Sequence, residues 1–263
     1  MTKTILITGS TDGIGLLTAK KLAADGHTVL LHGRSAAKLD GAFTEVGASG
    51  RYAADLADMD AVEGLAAAIR ADHRRLDVLI NNAGVLKAPN PVLASGQDIR
   101  FVVNTLAPYL LTQRLLPIIP ADGRVVNLAS AAQARVDLAA MAGQRRLDDM
   151  SAYAQSKLAI TIWSRALAAV LPQGPVVVAV NPGSLLASKM VKQGFGIGGN
   201  DLNIGADILV EAALGPRFAT ASGAYFDNDS GRFADPHAAA LDATHAAEVM
   251  GLVTKLVPAD SAV

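Results

Sequence analysis

The stretch Lys3 to Gly15, KTILITGSTDGIG, constrains this chain more than any other. Ile5, Leu6 and Ile7 form a short apolar run of strand type. Gly9, Gly13 and Gly15 interrupt it, and a helical pattern then opens over Leu16 to Ala24. A strand, a glycine turn and a helix start in that order offer free amide N–H groups and the positive end of a helix dipole to an anion. Glycine suits the turn because a dinucleotide pyrophosphate needs to reach the backbone where a Cβ would stand. Gly9, Ser10, Thr11, Asp12, Gly13, Ile14 and Gly15 are therefore candidate phosphate contacts.

The rest of the chain repeats the alternation. Short apolar runs recur at His27–Leu31, Arg51–Ala54, Val78–Ile80, Gly123–Leu128, Val176–Val180 and Tyr225-Phe226. Between them lie helical patterns at Ser35–Val46, Met59–Asp72, Gln97–Ile119 and Tyr153–Ala169, with a last helix over Ala238–Leu256. Strand and helix in turn predict one α/β domain over residues 1–263. It is doubly wound and Rossmann-type, with a parallel sheet of about seven strands. The second strand ends at His32-Gly33-Arg34-Ser35, the edge that normally meets the adenosine ribose. An acidic residue there would bind a 2′-hydroxyl, and a cation would bind a 2′-phosphate. Arg34 and Ser35 favour NADP(H), with NAD(H) left open.

Composition removes other classes. The chain has 23 basic and 24 acidic side chains and a net charge of −1, which provides no field for nucleic acid or an anionic membrane. It has no cysteine, and its five histidines follow no metal-ligand spacing, so no metal site is expected. No apolar run is long enough to span a bilayer and no leader pattern opens the chain, so a cytoplasmic location is expected.

Four motifs carry a resemblance. Thr8-Gly9-x-x-x-Gly13-Ile14-Gly15 resembles the TGxxxGIG signature of the short-chain dehydrogenase/reductase family. Asn81-Asn82-Ala83-Gly84 resembles its NNAG signature, Ser130 stands at the end of the fifth strand, and Tyr153-Ala154-Gln155-Ser156-Lys157 matches its YxxxK. Residues i and i+4 share one helical face, so the Tyr153 phenol and the Lys157 ammonium are neighbours. A nearby cation favours the phenolate, and lowering the usual tyrosine pKa by about 3 takes about 4 kcal/mol. The resemblance implies a catalytic set of Asn104, Ser130, Tyr153 and Lys157, with Asn104 holding a proton-relay water and Lys157 also holding the nicotinamide ribose. It further implies cofactor contacts from Asp55 and Leu56 to adenine, from Asn82, Ala83 and Gly84, and from Pro182 and Gly183. The family's carboxamide-binding threonine is missing after Pro182-Gly183; Ser188 is the candidate for its place, and Ser184 the second.

The stretch between Ser130 and Tyr153 is longer than in compact members of the family. It is similar to the retinol dehydrogenase, WW-domain oxidoreductase and protochlorophyllide reductase-like branch, as is Tyr225-Phe226-Asp227-Asn228-Asp229. This implies hydride transfer between NADP(H) and an aldehyde, ketone or alcohol, with bulky apolar substrates admitted and Tyr153 as general acid/base. The alternative is a catalytically silent NADP(H)-binding redox sensor. A lid over the substrate is expected at about residues 184–205. The resemblance also implies a homo-oligomer paired through the helices at 97–119 and 153–169, a surface that the longer stretch before Tyr153 could cover.

Overall fold

The computed structural model describes residues 1–187 and 199–259. In chain order the elements begin with β1 (Thr4–Ile7), α1 (Gly13–Ala24), β2 (Thr28–Gly33), α2 (Ala36–Val46), β3 (Gly50–Ala53), α3 (Met59–Asp72) and β4 (Val78–Asn81). A helical stretch follows as α4 (Ile99–Phe101), a π-turn (Val102–Leu106) and α5 (Ala107–Leu115). Then come β5 (Arg124–Leu128), α6 (Leu138–Met141), α7 (Asp149–Val170), β6 (Val176–Asn181), α8 (Leu202–Leu214), β7 (Tyr225–Asp227), β8 (Arg232–Ala234) and α9 (Ala243–Leu256).

Every second strand residue faces the same layer of helices, and both faces of the sheet are covered. Leu6, Leu30, Leu79, Val125 and Val177 pack on one side with Val62, Leu110 and Trp163 from α3, α5 and α7. Ile5, Ile7, Leu31, Ile80, Val126 and Val178 pack on the other with Leu22, Leu39 and Leu209 from α1, α2 and α8. This explains why the strands read as unbroken apolar runs. A third cluster seats Val136 and Met141, from the long stretch before Tyr153, against Phe101, Leu158, Val249 and Val253.

The strand order is β3-β2-β1-β4-β5-β6-β7-β8. The chain winds outwards from β1 to β3 and then crosses to β4, so β1 and β4 pair as parallel neighbours at the reversal point. An open α/β sheet forms its ligand crevice there, beyond the C-terminal strand ends.

The expected parallel sheet of about seven strands is present as β1 to β7 with one strand added at its edge, and two helix expectations are corrected. The sheet has eight strands, and β8 runs antiparallel to β7 with Phe226 opposite Phe233. Only three residues long, β8 gives no periodic signal, yet its Phe233 joins Phe218 and Phe226 in an edge-to-face trio with centroids 5.0–5.2 Å apart. It also covers what would have been an open β7 edge. The helix expected over Gln97–Ile119 contains the π-turn, because Pro108 brings no N–H to the ladder. The final helix starts at Ala243, capped by Asp242, and Ala238–Ala240 before it is a separate 3₁₀ turn. Among the described residues no helix is long and apolar enough to cross a membrane.

Trp163, fully buried and edge-on to Tyr109 at 5.6 Å, joins α7 to α5. Trp163→Ala should cost about 3–5 kcal/mol. Urea unfolding followed by far-ultraviolet circular dichroism measures it, and a loss under about 1 kcal/mol would show that α5 and α7 do not depend on this contact.

Candidate active site

The first component is the loop between β1 and α1. Thr8 Oγ1 accepts the backbone N–H groups of Asn82 and Ala83, each at 3.0 Å, while the Asn82 side chain donates to the carbonyls of Thr8 (2.8 Å) and Gly9 (3.1 Å). The glycines have a reason that the sequence did not reveal. A Cβ on Gly9, at φ +65°, would stand 2.9 Å from Ala83 Cα, and one on Gly15 would stand 2.5 Å from Asn82 Nδ2 and from the Gly9 carbonyl. The close approach at these two positions is to the turn after β4, which locks the loop against the neighbouring strand.

Asp12 is the N-cap of α1, its carboxylate accepting from the Gly13 N–H at 2.8 Å. It therefore acts first on the helix. The remaining amides of the first turn, Ile14 and Gly15, have no intrahelical acceptor and form the anion-binding end expected of such a helix. Ser10, by contrast, is fully buried and exchanges hydrogen bonds with the His32 backbone (3.3 and 3.0 Å), so its side chain braces the loop from within.

His32, which carried no role in the sequence reading, joins three strand ends. Its Nδ1 accepts from the Gly9 N–H (3.2 Å), which places the ring proton on Nε2, facing the Ala54 carbonyl at 3.2 Å. The ring is buried and its pKa is lowered to about 4, mainly by desolvation. Beside it Arg34 is exposed without an ion pair among the described residues, and Ser35 stands at the N-cap of α2 with its hydroxyl making no cap bond. Both are available to a ligand. Thr11 lies over the same edge, where a Cβ on Gly33 would come 2.5 Å from its methyl. After β3, Asp55 is exposed and accepts from the Ala57 N–H, but the Leu56 side chain is in the core, so only its backbone faces the crevice edge.

The chemical groups gather after β5 and on α7. Asp148 caps α7 by accepting from the Ser151 N–H at 2.9 Å, which sets Tyr153 in the second turn and Lys157 one turn later. Lys157 is buried, donates to the Leu128 carbonyl at 2.7 Å and lies 5.7 Å from the centre of the Tyr153 ring. Burial lowers its pKa to about 8. The Tyr153 phenol is raised above its ordinary value by desolvation, and a hydrogen bond with Ser130 works against that rise. The expected lowering by Lys157 is thus not what the protein's own groups produce, since the ammonium sits under the ring and is tied to a backbone carbonyl.

Asn104 lies in the π-turn and is buried. Its Oδ1 accepts from the Val85 N–H (2.8 Å), and its Nδ2 donates to the Val85 carbonyl (2.9 Å) and Ser156 Oγ (2.9 Å). The side chain therefore braces the turn after β4 against α7. Pro108, four residues on, gives the Asn104 carbonyl no helical donor. Arg100, one turn earlier, is buried between Asp98 (2.7 and 2.6 Å), the Leu86 carbonyl (3.2 Å) and Asp149 at the start of α7. It joins the segment carrying Asn104 to the helix carrying Tyr153.

After β6, Pro182 and Gly183 stand at the strand end as expected. Ser184 is a poor carboxamide partner, because its hydroxyl donates to Asp229 Oδ2 (2.5 Å) and its N–H to Asp229 Oδ1 (2.7 Å). Ser188 and most of the expected lid, residues 188–198, lie outside the described residues. The support residues that the sequence reading missed, His32, Arg100 and Asp229, reach partners far along the chain and leave no local pattern.

The family model described as short chain dehydrogenase matches residues 3–195. Human retinol dehydrogenase 13 is 34% identical over 194 residues, which are 69% of this chain and 58% of that one. The chain therefore spans less than two thirds of that relative's length. An uncharacterised protein from Mycobacterium paratuberculosis has the same architecture, with a TM-score of 0.80 and 28% identity, covering 97% of this chain and 92% of that one. A short chain dehydrogenase from Shigella flexneri, solved in complex with NADP, matches with a TM-score of 0.69 and 28% identity, covering 86% of this chain and 97% of that one.

His32 predicts a pH dependence of stability. Its folded pKa lies below the unfolded value near 6.5, so its contribution is complete above that value and is lost as pH falls towards 4. Between pH 7 and pH 5 this amounts to about 2 kcal/mol. Urea unfolding of wild type and His32→Gln at both pH values measures it: the variant should be less stable at pH 7 and lose less on acidification. Equal losses in the two proteins would remove His32 from the linkage.

Proposed function

This chain belongs to the retinol dehydrogenase-like branch of the short-chain dehydrogenase family, a family of oxidoreductases, and we propose that it transfers hydride between NADP(H) and an aldehyde, ketone or alcohol. The observation that carries this reading is the cluster at the sheet crest. The Ser130 side chain stands beside the Tyr153 phenol and favours its anion, and the Lys157 ammonium lies under the phenol ring. The strand ends beside it offer a dinucleotide what it needs: a helix N-terminus after β1 whose Ile14 and Gly15 amides lie outside the helical ladder, a cation and a hydroxyl after β2 that have no partner among the described residues, and the braced turn after β4. The NADP-bound relative from Shigella supports the cofactor class. Arg34 and Ser35 are what favour the phosphorylated form.

When bound, the nicotinamide supplies or accepts the hydride. For reduction, Ser130 donates a hydrogen bond to the substrate carbonyl oxygen, and Tyr153 Oη delivers a proton to that oxygen as the carbonyl carbon receives hydride. Lys157, still largely protonated at neutral pH, keeps N–H groups beyond the one given to Leu128 and would hold the nicotinamide ribose with them. The Asn104 carbonyl, to which Pro108 gives no α-helical donor, is the place for a relay water that returns the proton to Tyr153. Asn104 is thus a positioning residue through its side chain and a proton-path residue through its backbone. The likeness to retinol dehydrogenases favours a bulky apolar substrate.

Titration with NADPH and NADH, followed by turnover assays on aldehydes, ketones and quinones, tests the reading. Tyr153→Phe should bind NADPH within about twofold of wild type and lose about 10²–10⁴-fold in kcat. Arg34→Ala should weaken NADPH by about 10-fold or more and leave NADH unchanged, the effect of one charged hydrogen bond. Binding without turnover would favour the redox-sensor alternative, and failure to bind either nucleotide would refute the cofactor assignment.

A further inference from the structure

Ser130 lies just past the sheet. The last ladder bond before it runs from the Ala129 N–H to the Val180 carbonyl (2.9 Å). Its own carbonyl has no strand partner, and two side chains take it instead. Gln133 Nε2 donates to it at 2.8 Å, and Tyr225 Oη donates at 3.0 Å from β7, two strands away. Both donors are themselves held. Gln133 Oε1 accepts the His237 N–H (3.0 Å), and Tyr225 is buried between its partners Ala179 and Ala234.

We propose that Tyr225 and Gln133 are positioning residues for Ser130, gripping its carbonyl so that its hydroxyl is aimed at Tyr153. This rests on the reading of Ser130 and Tyr153 as the reacting pair.

The directions of the bonds make the grip consequential. Ser130 Oγ accepts from the Ala132 N–H at 3.1 Å, which leaves its single proton free for the phenol in the resting site and for the substrate oxygen during turnover. Turning the Ser130 peptide would withdraw that proton. The Tyr225 phenol stays a donor throughout the working pH range, since burial, with Asp227 and Asp229 nearby, raises its pKa well above the ordinary value. Tyr225 is otherwise an unremarked core aromatic, and a simple packing role would be served equally by phenylalanine.

The test uses the full chain with wild type, Tyr225→Phe and Gln133→Ala, the second variant altering a half-exposed residue outside the core. The chain has four tyrosines, so labelling with [¹³Cζ]tyrosine gives four resonances, and that of Tyr153 is identified by its loss in Tyr153→Phe. The proposal expects the Tyr153 resonance to move in both variants. With NADPH and 4-nitrobenzaldehyde it expects kcat to fall about threefold to tenfold, the equivalent of one neutral hydrogen bond. The KM for NADPH should be unchanged, and the alkaline limb of the kcat profile should move to higher pH. An unmoved Tyr153 resonance in both variants overturns the proposal, whether or not their melting temperatures fall. Absence of turnover by wild type with any carbonyl substrate would count against the redox reading instead, and the Tyr153 resonance would still decide the grip on Ser130.

Discussion

The structure depends on how closely the loop after β1 packs against the turn after β4. These strands flank the reversal point, so whatever lies at their ends forms the floor of the crevice. Gly9 and Gly15 let the loop come within van der Waals contact of Asn82 and Ala83, and Asn82 and Ala83 then donate four hydrogen bonds across the gap to Thr8 and Gly9. A methyl group at either glycine would force the two turns apart. The helix N-terminus after Gly13 is thereby presented at a fixed height above the sheet, and so is Val85, to which Asn104 is tied.

A second set of contacts carries this order to the reacting groups. From Val85 the Asn104 amide reaches Ser156, whose hydroxyl donates to the Tyr153 carbonyl at 2.7 Å. Arg100 makes a parallel connection from the same segment to Asp149 at the start of α7. The π-turn lets Asn104 point both ways, since it widens the helix where Pro108 has already removed a hydrogen bond.

What was legible in the sequence follows the range of each interaction. Strands buried on both faces announce themselves as apolar runs, and YxxxK is one helical turn, so β1 to β7 and the pairing of Tyr153 with Lys157 could be read directly. The function of Gly9 was assigned to the right loop for an incomplete reason, because its neighbour Ala83 is 74 positions away in the chain. His32, Arg100 and Tyr225 hold the site through partners that only the folded topology supplies. The π-turn was hidden because Leu106, Leu110 and Leu111 keep helical spacing straight through it. Asp229 removed Ser184 from consideration in the same way, from a turn that no local pattern connects to β6.

The electrostatics of the pair show what the chain does by itself and what a ligand would add. Burial disfavours charge on both groups: it raises the Tyr153 phenol and lowers the Lys157 ammonium. The protein thus holds a neutral phenol beside a weakened cation, a resting state suited to giving up a proton during reduction. Under the proposed reading, oxidation would need the same phenol to accept one, and among the described residues Ser130 is the side chain that favours its anion. An oxidised nicotinamide at the adjoining crest would add positive charge at short range, where low dielectric strengthens its effect. The direction favoured by the site would then follow the redox state of its occupant, with the placement of Ser130 setting how far the phenol can respond.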